Sequence, residues 1–328
     1  MKTYRVKAAF TLIELIVSLA ITAVIAFFVF SFATNLAELW RKTEGGVDTE
    51  LDAQIALDRI AMDLESAIFQ ERKDEESNEL TMFAVSAISK DDLQPQETSR
   101  WNRWLGVAKS ERPDEFHFDP ANHRYGWGGA WVRFFSAAPS FNAISYHIAR
   151  RRVFDDSLAP ARYLLHRAVV AQNETLLGGL DIVEGKYAQG EAPNRTFDVL
   201  AQPWLESVIL EDVVDFGIRL YVFEKDFNGT DDSPRGLRLI FPADGFGKID
   251  DDDDEHLASS FATGDYSERY PDVIEIFLRV LDDPGADLLV LLEEGEGLLD
   301  YEEIIDKHSR LYRRMIRMPG RESKGYTP

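Results

Sequence analysis

Between Glu14 and Glu38 the chain carries no charged residue, and from Leu15 to Ala33 its apolar run is interrupted only by Ser18, Thr22 and Ser31. As a helix rising about 1.5 Å per residue, that run reaches about 30 Å, the thickness of a bilayer's hydrocarbon core. It is therefore a membrane segment. Lys2, Arg5 and Lys7 precede it, while Glu38, Arg41 and Lys42 follow, so the positive-inside bias favours a cytoplasmic N-terminus.

A cleaved secretory signal, a plain anchor and a more specialised segment all begin this way. Ser31-Phe32-Ala33 offers a small-x-small cleavage site, but the apolar run exceeds the roughly 7–15 residues of a signal core. Glu14 weighs further against a signal. It is a carboxylate at the entrance of an otherwise apolar helix, directly after Ala9-Phe10-Thr11-Leu12-Ile13. An ionisable group at a membrane span is costly and implies a partner.

The phrase from Ala8 to Leu15, read with its basic leader, resembles the class III signal of type IV prepilins and type II secretion pseudopilins. The resemblance implies a leader of residues 1–9, cleavage between Ala9 and Phe10 by a prepilin peptidase, and N-methylation of Phe10. It makes Glu14 the fifth mature residue, which sets filament register and assembly by pairing with the free amine of a neighbour's Phe10. Leu12, Ile13, Leu15 and Ile16 would pack in the filament core. The chain departs from the family in one place, with Ala9 where Gly is usual before the cut. Physically, a buried Glu14 needs a cation, and a neighbouring amine supplies one.

Beyond the span, Leu51, Ile55, Leu57, Ile60, Ala61, Leu64 and Ile68 recur at helical spacing among Asp52, Asp58, Arg59, Asp63 and Glu65. The spacing predicts that residues 10–36 form the transmembrane or filament-core part of a helix and 37–69 its amphipathic continuation. Gly45-Gly46, at about 1 kcal/mol each in helix propensity, predicts a kink or short break between them. Residues 70–78 are almost wholly polar and read as a solvated connection.

From there the pattern changes to short β-branched and aromatic runs at 80–85, 131–135, 143–148, 162–170, 213–223, 237–241 and 272–281, bounded by turn formers. These predict a mainly antiparallel β-sheet domain over 70–328. The fold class expected is α+β and pilin-like, a long N-terminal helix packed on that sheet. Within the family the soluble part is similar to J-type minor pseudopilins and W-type minor pilins, on the phrases 56–65, 146–150, 164–167 and 270–278.

Charge is segregated. From Asp244 to Asp306 stand 21 acidic residues against Lys248, Arg269 and Arg279, whereas Lys307 to Pro328 holds seven Lys or Arg against Glu322. The acidic stretch, about 244–306, reads as an insertion in the globular domain, and its run from Asp250 to Glu255 as a solvated, self-repelling loop. A docking surface or a calcium site is the alternative, since hard cations take clustered carboxylates; the spacing does not match the calcium-loop pattern. The basic stretch predicts a final strand with Tyr312, Met315, Ile316 and Met318 as its apolar positions.

The net charge of −22 argues against nucleic-acid binding, and the absence of cysteine removes thiol chemistry and disulfides. No phosphate-binding, dinucleotide-binding, nucleophile-elbow or His-Glu-x-x-His motif occurs. His117, Asp119 and His123 could hold a metal, and the tryptophans at 101, 104, 127 and 131 could form an aromatic platform, but surface histidines and core packing account for both. The expectation is no enzyme, no metal and no cofactor.

The chain thus reads as a single-pass inner-membrane protein with a periplasmic C-terminal domain. It would be a minor pseudopilin that primes or caps a type II secretion or type IV pilus-like filament, with other minor and major pseudopilins as partners. Its rivals are a secreted ligand-binding protein cut after Ala33 and a surface-exposed pilus-tip adhesin.

Overall fold

The computed structural model describes residues 12–70, 80–87, 129–152, 160–187, 199–200, 205–224, 228, 235–241, 255–261, 266–293 and 295–318. The chain divides into two compact units, Met1–Asp48 and Thr49–Pro328. The first helix, α1 (Leu12–Glu65), contributes to both, and Gly45 and Gly46 are helical within it, with no break.

From residue 49 onward α1 is amphipathic, and it buries Ala53, Ala56, Leu57, Ile60, Ala61 and Leu64. Alternating spacings of three and one keep these six on one face. The stripe differs from the expected one: Leu51 and Ile55 are 56% and 57% exposed, as Met62 is at 62%. On a helical wheel those three stand opposite the buried face, because the expected stripe mixed residues from two sides. The helix ends in a tightened turn, with the Ser66 and Ala67 amides donating to the carbonyls of Asp63 and Leu64. The chain then passes directly into sheet pairing, where the Ile68 amide donates to the Phe135 carbonyl at 2.8 Å.

The strands are β1 (Phe83–Ala87), β2 (Ala130–Ser136), β3 (Asn142–Arg152), β4 (Ala161–Val170), β5 (Val208–Glu211), β6 (Val213–Phe223), β7 (Leu237–Phe241), β8 (Glu255–Ala258), β9 (Val273–Leu281) and β10 (Ser309–Arg317). Among the described residues, three short α-helices accompany them: α2 (Gln172–Gly178), α3 (Asp283–Glu293) and α4 (Tyr301–His308). One sheet has the order β5-β4-β3-β2-β1-β8 and the other β10-β9-β6-β7. Every named pairing is antiparallel. The architecture is α+β.

Alternation builds the core. Phe83 faces Phe134 in register, and rings at 83, 134 and 146 follow one another across β1, β2 and β3 with centroids 6.4 Å apart at each step. The β6 and β9 side chains Phe216, Ile218, Leu220, Ile274, Ile276 and Leu278 join the same core cluster as the α1 stripe. Gly129 brings β2 against β6: its φ is +87°, and a Cβ there would lie 2.3 Å from the Phe216 carbonyl oxygen. Only glycine fits both the conformation and the space.

The acidic stretch 244–306 supplies β8, α3, most of α4 and β9, the neighbour of both β6 and β10. Its charges sit among buried apolar residues, Ile274, Ile276, Leu278, Ala286, Leu289, Ile304 and Ile305, which carry the fold. The run Asp250–Asp254 lies outside the described residues. The predicted final strand is β10, with Ile316 buried and Met315 48% exposed.

Candidate membrane and assembly segment

In the first unit, the residues from Leu15 to Thr34 form one stretch long and apolar enough to cross a membrane, with mean hydropathy 2.7 and none of it buried. Large apolar side chains point outward on every side. Leu12, Ile13, Leu15 and Ile16 are 79%, 70%, 58% and 55% exposed, and Phe27, Phe28, Phe30 and Phe32 are similarly open. A helix apolar all round is suited to lipid or to other helices, not to water.

The hydroxyls that interrupt this run do not spoil it. Ser18 Oγ donates to the Leu15 carbonyl at 2.9 Å, Thr22 Oγ1 to the Ser18 carbonyl at 2.7 Å, and Thr34 Oγ1 to the Ser31 carbonyl at 2.9 Å. Each bond satisfies a polar group within the helix and removes most of its cost of leaving water. Glu14 is placed in α1 by its backbone. Ala9 and Phe10 lie outside the described residues.

In the globular unit, a charged clamp fixes α1 to the larger sheet. Asp63, at the margin of the buried stripe, accepts from Arg167 Nε at 2.5 Å and Arg167 Nη2 at 3.1 Å, and also from the Tyr146 hydroxyl. Burial, reinforced by the negative Asp63, holds the Tyr146 hydroxyl well above its ordinary pKa, so it remains a donor. Sequence reasoning missed this trio as a unit, although all three residues fall in the phrases that carry the minor-pilin resemblance. An aspartate flanking an apolar stripe was the available signal.

A second charged corner joins β4, the β5–β6 turn and α3. Arg162 donates to Asp212 at 2.8 Å and to Asp287 at 2.7 Å. Asp212 holds the left-handed conformation at φ 57°, and burial raises its pKa to about 6 against the opposing pull of Arg162. Beside it, Arg162, Tyr163, Asp212, Leu281 and Leu289 line a cavity of about 10 Å³, room for one water.

No group of three or more metal-ligating side chains occurs among the described residues. His117, Asp119, His123 and the tryptophans at 101, 104 and 127 lie outside them. Trp131 is buried in β2, with the Arg133 guanidinium 3.8 Å from its ring centroid.

Residues 4–30 match the family model described as the prokaryotic N-terminal methylation motif, which supports a relation to type IV prepilin-like proteins. Neither the curated proteins nor the solved structures contain a match to this chain.

Proposed function

We propose that the chain is a minor pseudopilin, a structural subunit that primes or caps a type II secretion or type IV pilus-like filament. The observation that carries this reading is the coincidence of the methylation motif over residues 4–30 with a helix whose large side chains are apolar and exposed all round. Such a motif implies processing by a prepilin peptidase and assembly with other pilins. Cleavage falls between Ala9 and Phe10, and Phe10 becomes the methylated N-terminus.

Until assembly, the segment resides in the inner membrane as a single span, with the C-terminal domain in the periplasm. On assembly, Leu12, Ile13, Leu15 and Ile16 exchange lipid for neighbouring helices. Glu14 takes the amine of a neighbour's Phe10, which neutralises both charges and sets the axial register. The subunit acts by packing, with no catalytic residue and no cofactor, and energy for assembly comes from other subunits.

Intact-mass and N-terminal analysis of protein purified from its host's membranes tests the reading. The expected chain begins at methylated Phe10. A chain beginning at Thr34 in the soluble fraction would overturn it in favour of a secreted ligand-binding protein.

A further inference from the structure

The edge of the smaller sheet and a turn 10–20 residues before it carry matching, opposite patterns. On β10 the side chains of Leu311, Arg313, Met315 and Arg317 alternate onto one face, since successive strand residues point to opposite sides. Leu311 and Met315 are 36% and 48% exposed, and Arg313 and Arg317 are exposed too. Their neighbours on the opposite face are engaged: Arg314 pairs with Asp58 of α1, and Arg310 lies 3.8 Å from Glu50. Arg313 and Arg317 have no carboxylate partner among the described residues; Arg317 lies 5.5 Å from the Phe223 ring centroid. Among the described strands β10 pairs only with β9, which leaves its other edge open.

The turn between α3 and α4 presents the complement. Leu298 is fully exposed, at 101%, and Glu296 and Asp300 flank it two residues away on either side, both exposed. The turn is held in shape: Gly295 has φ +79°, the Glu296 amide donates to the Leu291 carbonyl at 2.9 Å, and Asp300 caps α4 by accepting from the Glu303 amide at 2.8 Å. A leucine raised on a braced turn between two carboxylates is a ready-made contact. The pattern arginine, methionine, arginine at 313, 315 and 317 is opposite in charge to glutamate, leucine, aspartate at 296, 298 and 300.

We infer that these two surfaces bind each other between copies of this chain, the Leu298 turn of one copy seating on the outer face of β10 of the next. Charge complementarity selects this pairing over contact of either surface with its own copy. Two β10 edges brought together would set Arg313 and Arg317 against their own copies, a like-charge arrangement that blocks edge-to-edge pairing. Two Leu298 turns would likewise oppose carboxylates. The contact therefore joins two different surfaces of neighbouring copies, and it either closes reciprocally about a two-fold axis or repeats head-to-tail. It involves the globular unit alone and does not rest on how the N-terminal segment is read.

The chain contains no cysteine, so engineered thiols report without background. Full-length Leu298→Cys and Met315→Cys variants, distinguished by different affinity tags, are expressed together in host membranes and mildly oxidised. The mixed pair is expected to give at least fivefold more covalent dimer than either variant alone. Arg313→Glu in the Met315→Cys chain should abolish most of that excess, and Glu296→Arg in the Leu298→Cys chain should restore it. Mixed dimer no more abundant than like dimers, adducts only to a different polypeptide, or indifference to Arg313→Glu would each overturn the inference. N-terminal analysis of the same samples shows separately whether the leader was processed, so the two readings fail independently.

Discussion

Asp63 concentrates more of the fold's electrostatics than any neighbour on α1, because it receives two bonds from one guanidinium and one from a buried phenol. Removing a partner from such a buried pair leaves a charge without compensation. Asp63→Ala is expected to lower stability by about 3 kcal/mol, read from denaturant unfolding of the detergent-solubilised chain; a loss below 0.5 kcal/mol would show that the clamp is dispensable. Asp212 behaves differently. Below about pH 4 its carboxyl is protonated folded and unfolded alike. Between about pH 4 and pH 6 the unfolded chain releases the proton while the folded chain retains it, so rising pH costs the folded state up to about 3 kcal/mol. Asp212→Asn removes that titration, and asparagine tolerates the left-handed backbone. Unfolding free energies measured from pH 4 to pH 7 should fall less in the variant; an unchanged pH profile would refute the assignment.

At the scale of the element, α1 shows how one helix serves two environments. Its first part exposes apolar side chains on every side, whereas from residue 49 only one face is buried. The buried Ile60 and the exposed Ile55 therefore separate the two faces cleanly. Ile60→Ala is expected to cost about 2–4 kcal/mol through lost burial and a residual cavity, and Ile55→Ala less than about 0.5 kcal/mol. Thermal denaturation of the two variants side by side checks this, and equal losses would place Ile55 in the core. Sheet elements follow the same logic: β6 and β7 coincide with the apolar runs that predict them, while β5 and β8 are four residues each, too short for a periodic signal.

For the whole molecule, assembly through the N-terminal segment gives a prediction that stability measurements do not touch. Glu14→Ala should leave membrane insertion and leader cleavage intact and reduce co-purification with partner pilins. Wild-type recovery of partners from detergent extracts would sink the proposed pairing with Phe10. The cross-linking outcome belongs at this scale as well, since the proposed contact between globular units and packing of N-terminal helices draw on separate surfaces.

Local pattern alone determined a good deal of this protein. The membrane-length run, the methylation motif, the amphipathic continuation of α1 and eight of the strands are written in consecutive residues, because hydrophobic periodicity and turn formers act over short distances. Tertiary structure decided the rest. Which α1 residues are buried depended on where the two sheets lie, so Leu51 and Ile55 were misplaced and Ala53 and Ala56 overlooked. In the acidic stretch the run at 272–281 was legible as a strand, but its place between β6 and β10 was decided only by the tertiary structure. The Asp63, Tyr146 and Arg167 clamp joins positions about a hundred residues apart. The aspartate beside the apolar stripe was legible locally, but its partners were not, since the contact exists only when burial makes each of the three groups require the others.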